Sequence, residues 1–138
     1  MGILLTIENK LKDAVETVIG IKKYVFDDLS TINADSTDEY PLLLFKPPTS
    51  KSPDRTLEYE IMNMDLFVFD TNMSDDIHKW TEVYDVCHNL LHDVLKELFA
   101  DTTFVLTGEV TYSLGRMQHN ANLVGARAQF QLRVYYGC

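Results

Sequence analysis

The chain has 138 residues, of which 46% are hydrophobic and 24% charged, and this balance predicts one folded domain with one core. Its net charge of −9 and its pI of about 4.7 argue against a surface built to bind DNA or an anionic membrane. Two cysteines predict reduced thiols rather than a disulfide framework, and no apolar run approaches the roughly 18 residues of a membrane span.

The charge is uneven along the chain. From Val110 to the end there are three arginines and no acidic residue, so the first 109 residues carry all 21 acids against nine bases (12 − 3). Two interpretations stay open: chance in a short segment, or a basic edge that meets an acidic edge of a neighbouring copy. Head-to-tail rings need two different, complementary surfaces of this kind.

The first predicted element is an amphipathic helix that ends near Gly20. Its apolar residues recur at helical spacing: Leu4, Ile7, Leu11, Ala14 and Val18, with Leu5, Val15 and Ile19 beside them. Residues 22–26 predict the start of a short strand, and the acidic, polar residues 27–39 predict a loop.

Two strand signals follow, separated by a proline-rich segment. Residues 41–45 are a short apolar run that begins at a proline, which suits the start of a strand. Residues 46–55 contain three prolines, which exclude helix and central sheet, so we predict an exposed, mobile arm around residues 46–56. Residues 57–69 predict the longest strand. Because its end is apolar on both faces, we expect a helix or a partner chain to cover each side.

A second, longer helix is predicted from an N-cap at Asn72 to about Ala100. Its apolar residues follow at alternating spacings of three and four: Ile77, Trp80, Tyr84, Cys87, Leu91, Val94 and Leu98. Residues 104–112 alternate between apolar and polar and predict a half-buried strand, whereas residues 113–124 contain Gly and Asn and predict a loop.

The last fourteen residues, 125–138, alternate with a period of two, which predicts a strand with one buried and one solvated face. One side carries Ala126, Ala128, Phe130, Leu132, Val134 and Tyr136, and the other carries Arg127, Gln129, Gln131, Arg133 and Tyr135. The order of elements predicts a single α+β domain over residues 1–138. We expect a mostly antiparallel sheet of about four to five strands with two amphipathic helices packed on one face.

No catalytic, cofactor-binding or metal-binding motif stands out. His88 and His92 share one side of the second helix, but position 89 is Asn where the zinc-protease pattern has Glu. Cys87 lies within the apolar stripe and is expected to be a buried, inert thiol. We therefore predict no enzyme, no cofactor and no metal.

Two short segments are distinctive in this order of elements: the strand end Phe67-Val68-Phe69-Asp70 and the glycine-led final strand that begins Gly125-Ala126-Arg127. In this arrangement the chain resembles the tail-terminator, tail-completion and neck (head–tail joining) proteins of tailed bacteriophages. An aromatic residue often follows the glycine in such final strands, whereas here Ala126 does.

The resemblance implies a non-enzymatic virion component, assembled in the host cytoplasm, that forms a hexameric or larger ring. Such a ring caps a tail tube or joins it to the head. Its partners would be its own copies and adjacent tail-tube, neck or portal-proximal proteins, with no membrane. DNA would pass through the lumen without sequence-specific binding, which suits the acidic balance.

We expect contacts between copies at the arm, at the solvated face of the final strand and at residues 113–124. The basic residues predicted to lie at this interface are Lys46, Lys51, Arg55, Arg116, Arg127 and Arg133. The alternative is that all of them are simply solvent-exposed. Trp80 is expected in the core or, alternatively, as an interface anchor.

Two other functions remain open. One is a small intracellular α+β binding or regulatory module that acts as a dimer. The other is an enzyme with an unrecognised carboxylate or histidine site, which would need a deep pocket with convergent polar groups.

Overall fold

A computed structural model describes residues 3–26, 40–51, 59–71, 77–100, 104–117 and 120–135. These residues form two helices and six strands: α1 (Ile3–Thr17), β1 (Lys23–Phe26), β2 (Leu42–Phe45), β3 (Thr49–Lys51), β4 (Tyr59–Thr71), α2 (Ile77–Phe99), β5 (Phe104–Met117) and β6 (Asn120–Tyr135). The predicted α+β class is confirmed, with slightly more strands than the four to five expected.

The described strands form one sheet in the order β1-β2-β4-β6-β5, and β3 also pairs with β4. The β1–β2 pair is parallel and the other pairs are antiparallel. Strands β2 and β3 share one side of β4, because β2 lies opposite residues 66–69 and β3 opposite residues 61–63. The sheet therefore has β5 at one edge, and β1 and β3 at the other.

Helix α1 buries Ile7, Leu11 and Ala14. Gly20 follows with a φ of 115°, a conformation that favours glycine and suits the predicted end of the helix. The predicted apolar stripe is wrong at both ends, because Leu4, Leu5 and Ile19 are exposed. The fully buried side chains of α1 lie in its middle turns, so helical spacing alone overestimates the buried surface.

Helix α2 ends at Phe99, within a residue of the predicted end. Its buried residues are Cys87, Leu90, Leu91, Val94, Leu95 and Leu98. They join α1 and one face of the sheet in a single core, which confirms that both helices pack on the same face. Asn72 lies outside the described residues, and so does the side chain of Trp80.

The alternation predicted for the longest and the last strands is confirmed on the core face. Met62, Met64, Leu66 and Val68 of β4 are buried there. They pair in register with the buried Leu132, Phe130, Ala128 and Ala126 of β6, and Val134 extends the row. Tyr136 lies outside the described residues. Burying each larger side chain contributes about 1.5–3 kcal/mol, so these two strands anchor the fold.

The second face of the sheet points away from the helices, and we define it by Asn63, Asp65 and Phe67 of β4 and Arg127 and Gln131 of β6. Near the end of β4 this face holds a smaller buried cluster made of Leu42, Leu44, Phe67 and Phe69. Val25 and Tyr40 pack against it. The end of β4 is therefore buried on both faces within a single chain, so its apolar character does not require a partner chain.

The loop predicted at residues 113–124 is wrong. Strand β5 continues to Met117 and β6 begins at Asn120, with Leu114 opposite Ala126 and Gly115 opposite Gly125. Backbone pairing between two strands close in sequence needs no strong side-chain pattern, so it overrides the turn preference of the Gly and Asn residues. The alternation of Tyr112 and Leu114 was the available signal.

The arm predicted around residues 46–56 is described only to residue 51. Thr49–Lys51 pairs with β4 as a short edge strand and is exposed at all three positions. The Lys46 amide donates a hydrogen bond to the Asp65 carbonyl oxygen at 3.3 Å. This part of the predicted arm thus lies along the sheet, while the remainder falls outside the described residues.

Candidate assembly surface

A row of polar side chains crosses the second face. Asn63 Nδ2 donates a hydrogen bond to Thr49 Oγ1 at 3.0 Å, and Gln131 Nε2 donates one to Asn63 Oδ1 at 3.1 Å. Thr107 Oγ1 donates to the Gln131 carbonyl oxygen at 3.3 Å. These four residues lie in register on β3, β4, β6 and β5. The row links both edges of the sheet through exposed groups, and sequence analysis did not predict a role for its four members.

Arg127, one of the predicted interface residues, is bound within the chain. Its Nε and Nη2 donate hydrogen bonds to Asp65 Oδ1 at 2.8 Å and Oδ2 at 2.6 Å. Its guanidinium also lies 5.2 Å from the centre of the Phe67 ring. The hydrogen bonds to Asp65 raise the pKa of Arg127. This bidentate ion pair neutralises one of the three arginines found from Val110 onward, and it fixes the orientation of the Arg127 side chain.

Arg133 is held by aromatic rings at the other end of the second face. Its guanidinium lies 4.7 Å from the centre of the Tyr59 ring, and Nη1 donates to Tyr135 Oη at 3.4 Å. The bond to Tyr135 raises the pKa of Arg133. Within the described residues its Nε is buried without a hydrogen-bond partner. Arg133 is therefore positioned by stacking, and it keeps hydrogen-bonding capacity.

The other four predicted interface residues are less defined. Lys51 is exposed on β3, and Lys46 is half-buried just before that strand. Arg55 lies outside the described residues. The backbone of Arg116 pairs with Val124, but its side chain is not described. The structure therefore does not bring the six basic residues together: Arg127 and Arg133 alone are separated by about 20 Å along β6.

The two edges of the sheet are unlike, and among the described residues no strand pairs with the outer side of either. No other described strand pairs with the outer side of β5, a strand of 14 residues. Its exposed side chains include Val105, Glu109 and Leu114. The opposite edge consists of the short strands β1 and β3, and β3 carries Lys51. Natural proteins usually shorten, charge or cover such edges, since exposed backbone groups can pair with another chain.

A bulge interrupts β5 midway along that edge. Thr107 pairs with Gln131 and Thr111 with Gln129, so residues 108–110 oppose one residue of β6. Gly108 adopts a φ of 85° there. Beside the bulge lies a wide depression of about 600 Å³, whose lining includes the polar residues Thr107, Thr111 and Gln129 as well as Met64 and Phe130. Glu109 is the sole carboxylate among its described lining residues, so the depression lacks the paired groups of an acid–base site.

The two histidines of α2 contact Tyr112, and its cysteine is buried. The His88 ring meets the Tyr112 ring edge-on, with ring centres 4.7 Å apart, and His92 Nδ1 lies 3.2 Å from Tyr112 Oη. Burial raises the pKa of Tyr112. Burial, and secondarily the charge of Asp70, raises the pKa of Cys87 to about 12, so its thiol stays protonated. Across the described residues, no group of three or more His, Cys, Asp or Glu is placed to hold a metal.

In the described parts of the chain, no helix combines the length and apolarity needed to cross a membrane. Comparison of the sequence with protein-family models and with curated proteins found no match.

Proposed function

We propose that this chain is a structural protein of a tailed bacteriophage virion. It assembles into an oligomeric ring at the head–tail junction or the tail end, where it joins or caps the tail around the DNA channel. Adjacent tail-tube, neck or portal-proximal proteins are the expected partners. The proposal rests on the sequence resemblance to tail-terminator, tail-completion and neck proteins, and on the edges of the sheet.

The observation that carries the proposal is that the sheet has two unlike edges, on whose outer sides no described strand pairs. If β5 of one copy pairs with the β1/β3 edge of the next, the contact is head-to-tail, because two different surfaces meet. Repeated around an axis, such a contact closes a ring. The exposed Glu109 on β5 and the exposed Lys51 on β3 have opposite charges, which favours this pairing over β5 with itself.

The charge of the chain supports passage of DNA rather than attachment. The net charge is −9, and Arg127 already binds Asp65. A ring of such subunits is acidic as a whole and repels phosphate groups, which favours sliding of DNA over the ion contacts that dominate nucleic-acid binding.

The test is the molar mass of the full chain in solution, by light scattering, together with negative-stain microscopy. We expect an annular particle about six times the 15.8 kDa mass of one chain, or larger. A particle of twice that mass would favour the two-fold dimer of a binding or regulatory module. A monomer at high concentration, also when mixed with tail-tube or neck proteins, would contradict the proposal.

An edge substitution tests the contact itself. Thr111→Lys places a charge on β5, and we expect it to lower the assembled mass, because edge lysines oppose strand addition. Gln129→Lys is the matched control, since Gln129 is the exposed residue paired with Thr111 on the neighbouring interior strand. If both variants assemble as the wild type does, strand addition at β5 is wrong.

A further inference from the structure

A mainly apolar groove of about 470 Å³ lies at the β1/β3 edge. Leu4 of α1 and Phe26 of β1 line it, together with Pro47, Pro48 and Met62. Leu4 is 42% exposed and Phe26 is 37% exposed. Glu60 contributes the one carboxylate among the described lining residues. The groove opens on the helical side of the sheet, because α1 forms one of its walls.

The opposite edge of the sheet presents an apolar side chain on the same side. Leu114 of β5 is 53% exposed, although its partner in register is Ala126, which is buried in the core. Tyr112, two residues earlier on β5, packs against the core. Leu114 is therefore a large aliphatic residue on the core side of the sheet of which about half stays exposed.

We propose that Leu114 of one copy inserts into the Leu4–Phe26 groove of the next copy. This inference rests on the proposed ring, and it names the apolar contact that accompanies strand pairing. When two sheets join edge to edge, their core sides stay aligned. The leucine and the groove lie at opposite edges of the sheet and on its same side, so each copy offers one of each to its two neighbours.

Charge complementarity supports a second copy as the occupant. Arg116 lies two residues after Leu114 on β5, and residues 110–138 include no acidic residue, whereas the groove carries Glu60. The segment that holds Leu114 thus has a basic residue and no acidic one, which suits a wall that holds a carboxylate. An apolar anchor seated in a pocket with a polar rim is the arrangement in which a few residues carry most of the binding energy.

Disulfide trapping between two different single variants tests the contact. Leu4→Cys and Leu114→Cys are each made in a full chain with Cys138→Ser, in which Cys87 remains buried. The two variants are unfolded, mixed and refolded together, then oxidised and weighed by mass spectrometry. We expect a disulfide-linked pair that contains one chain of each variant. Neither variant oxidised alone should form a linked pair, since no chain then offers both partners.

The outcomes separate this contact from the ring itself. A ring by light scattering with no mixed pair overturns the groove contact and leaves the proposed function standing. A linked pair from Leu114→Cys alone shows two-fold pairing and overturns the groove contact. Absence of any assembly overturns both.

A second measurement does not depend on cysteine chemistry. Leu114→Arg should weaken assembly by about tenfold or more in the concentration at which the ring dissociates, because the apolar anchor is lost. Val86→Arg on α2 is the control, since Val86 is 48% exposed and does not line the groove. Equal effects of the two substitutions, or no effect of the first, would count against the inference.

Discussion

Gly125 shows how one residue sets the distance between two central strands. It lies opposite Phe69, and a Cβ placed on it would collide with the Val68 carbonyl oxygen and lie 2.8 Å from Phe69 Cδ1. The Phe69 side chain thus occupies the space that a side chain at position 125 would need. Glycine is required here for close approach rather than for an unusual backbone angle.

Gly125→Ala should therefore lower the free energy of unfolding by about 1–3 kcal/mol, because the added methyl group must push backbone atoms apart. Gly115→Ala is the matched control, since Gly115 pairs with Gly125 and nothing lies within 4 Å of a Cβ placed there. Urea denaturation of the two variants measures both effects. Equal losses would show that strand propensity, and not this contact, explains the glycine.

The ion pair of Arg127 illustrates what a single sequence does not reveal. Alternation correctly placed Arg127 on the face opposite Ala126 and Ala128, but its partner Asp65 is 62 residues away. Finding that partner requires the register of β4 against β6, which a pattern within one strand does not contain. The arginine therefore looked available for a neighbouring copy when its charge was already paired.

At the scale of elements, the sequence predicted best where one face is strongly apolar. Helix α2 and strand β6 each have an apolar side that matches the helical or strand period, and both were placed nearly correctly. The part of the β5–β6 hairpin nearest its turn was missed because residues 113–115 of β5 are all exposed. Those residues are held by backbone pairing, and the pattern of side chains along one strand does not reveal such pairing.

Hydrogen exchange tests that hairpin. On β6, amides of residues 124–127 lie between β4 and β5, so we expect every one of them to exchange slowly. On β5, amides of residues 113–117 should alternate, since only every second group faces β6. Uniformly fast exchange over 113–117 would restore the loop first expected there. Loss of the alternation upon assembly, with all these amides protected, would be the mark of strand addition.

At the scale of the whole molecule, alkaline pH should loosen the fold. Burial, the charge of Glu8 and a 3.2 Å hydrogen bond to Glu8 raise the pKa of Tyr24 above 10.0, and the pKa of Cys87 is raised from 9.0 to about 12. Both groups are neutral when protonated, so folding favours the protonated forms. The stabilisation is complete below about pH 9 and is lost as the pH rises through the folded-state values.

Urea midpoints between pH 7 and pH 11 measure this loss. We expect these two groups to leave the urea midpoint unchanged near pH 7 and to lower it above about pH 9. Tyr24→Phe should be less stable at pH 7, because the bond to Glu8 is gone, and should lose less stability than the wild type on going to pH 11. If the urea midpoints of both proteins fall equally between pH 7 and pH 11, Tyr24 does not contribute to the loss of stability at alkaline pH.

The edge formed by β1 and β3 is not straight, and this matters for the proposed assembly. Strand β3 lies directly beside β4, whereas β1 lies two strands away from β4, with residues 46–48 between β2 and β3. A straight incoming strand can therefore pair with β1 or with β3, but not with both. In the proposed ring, the strand that is chosen would fix the tilt of each subunit relative to the last, and that tilt would set the number of copies.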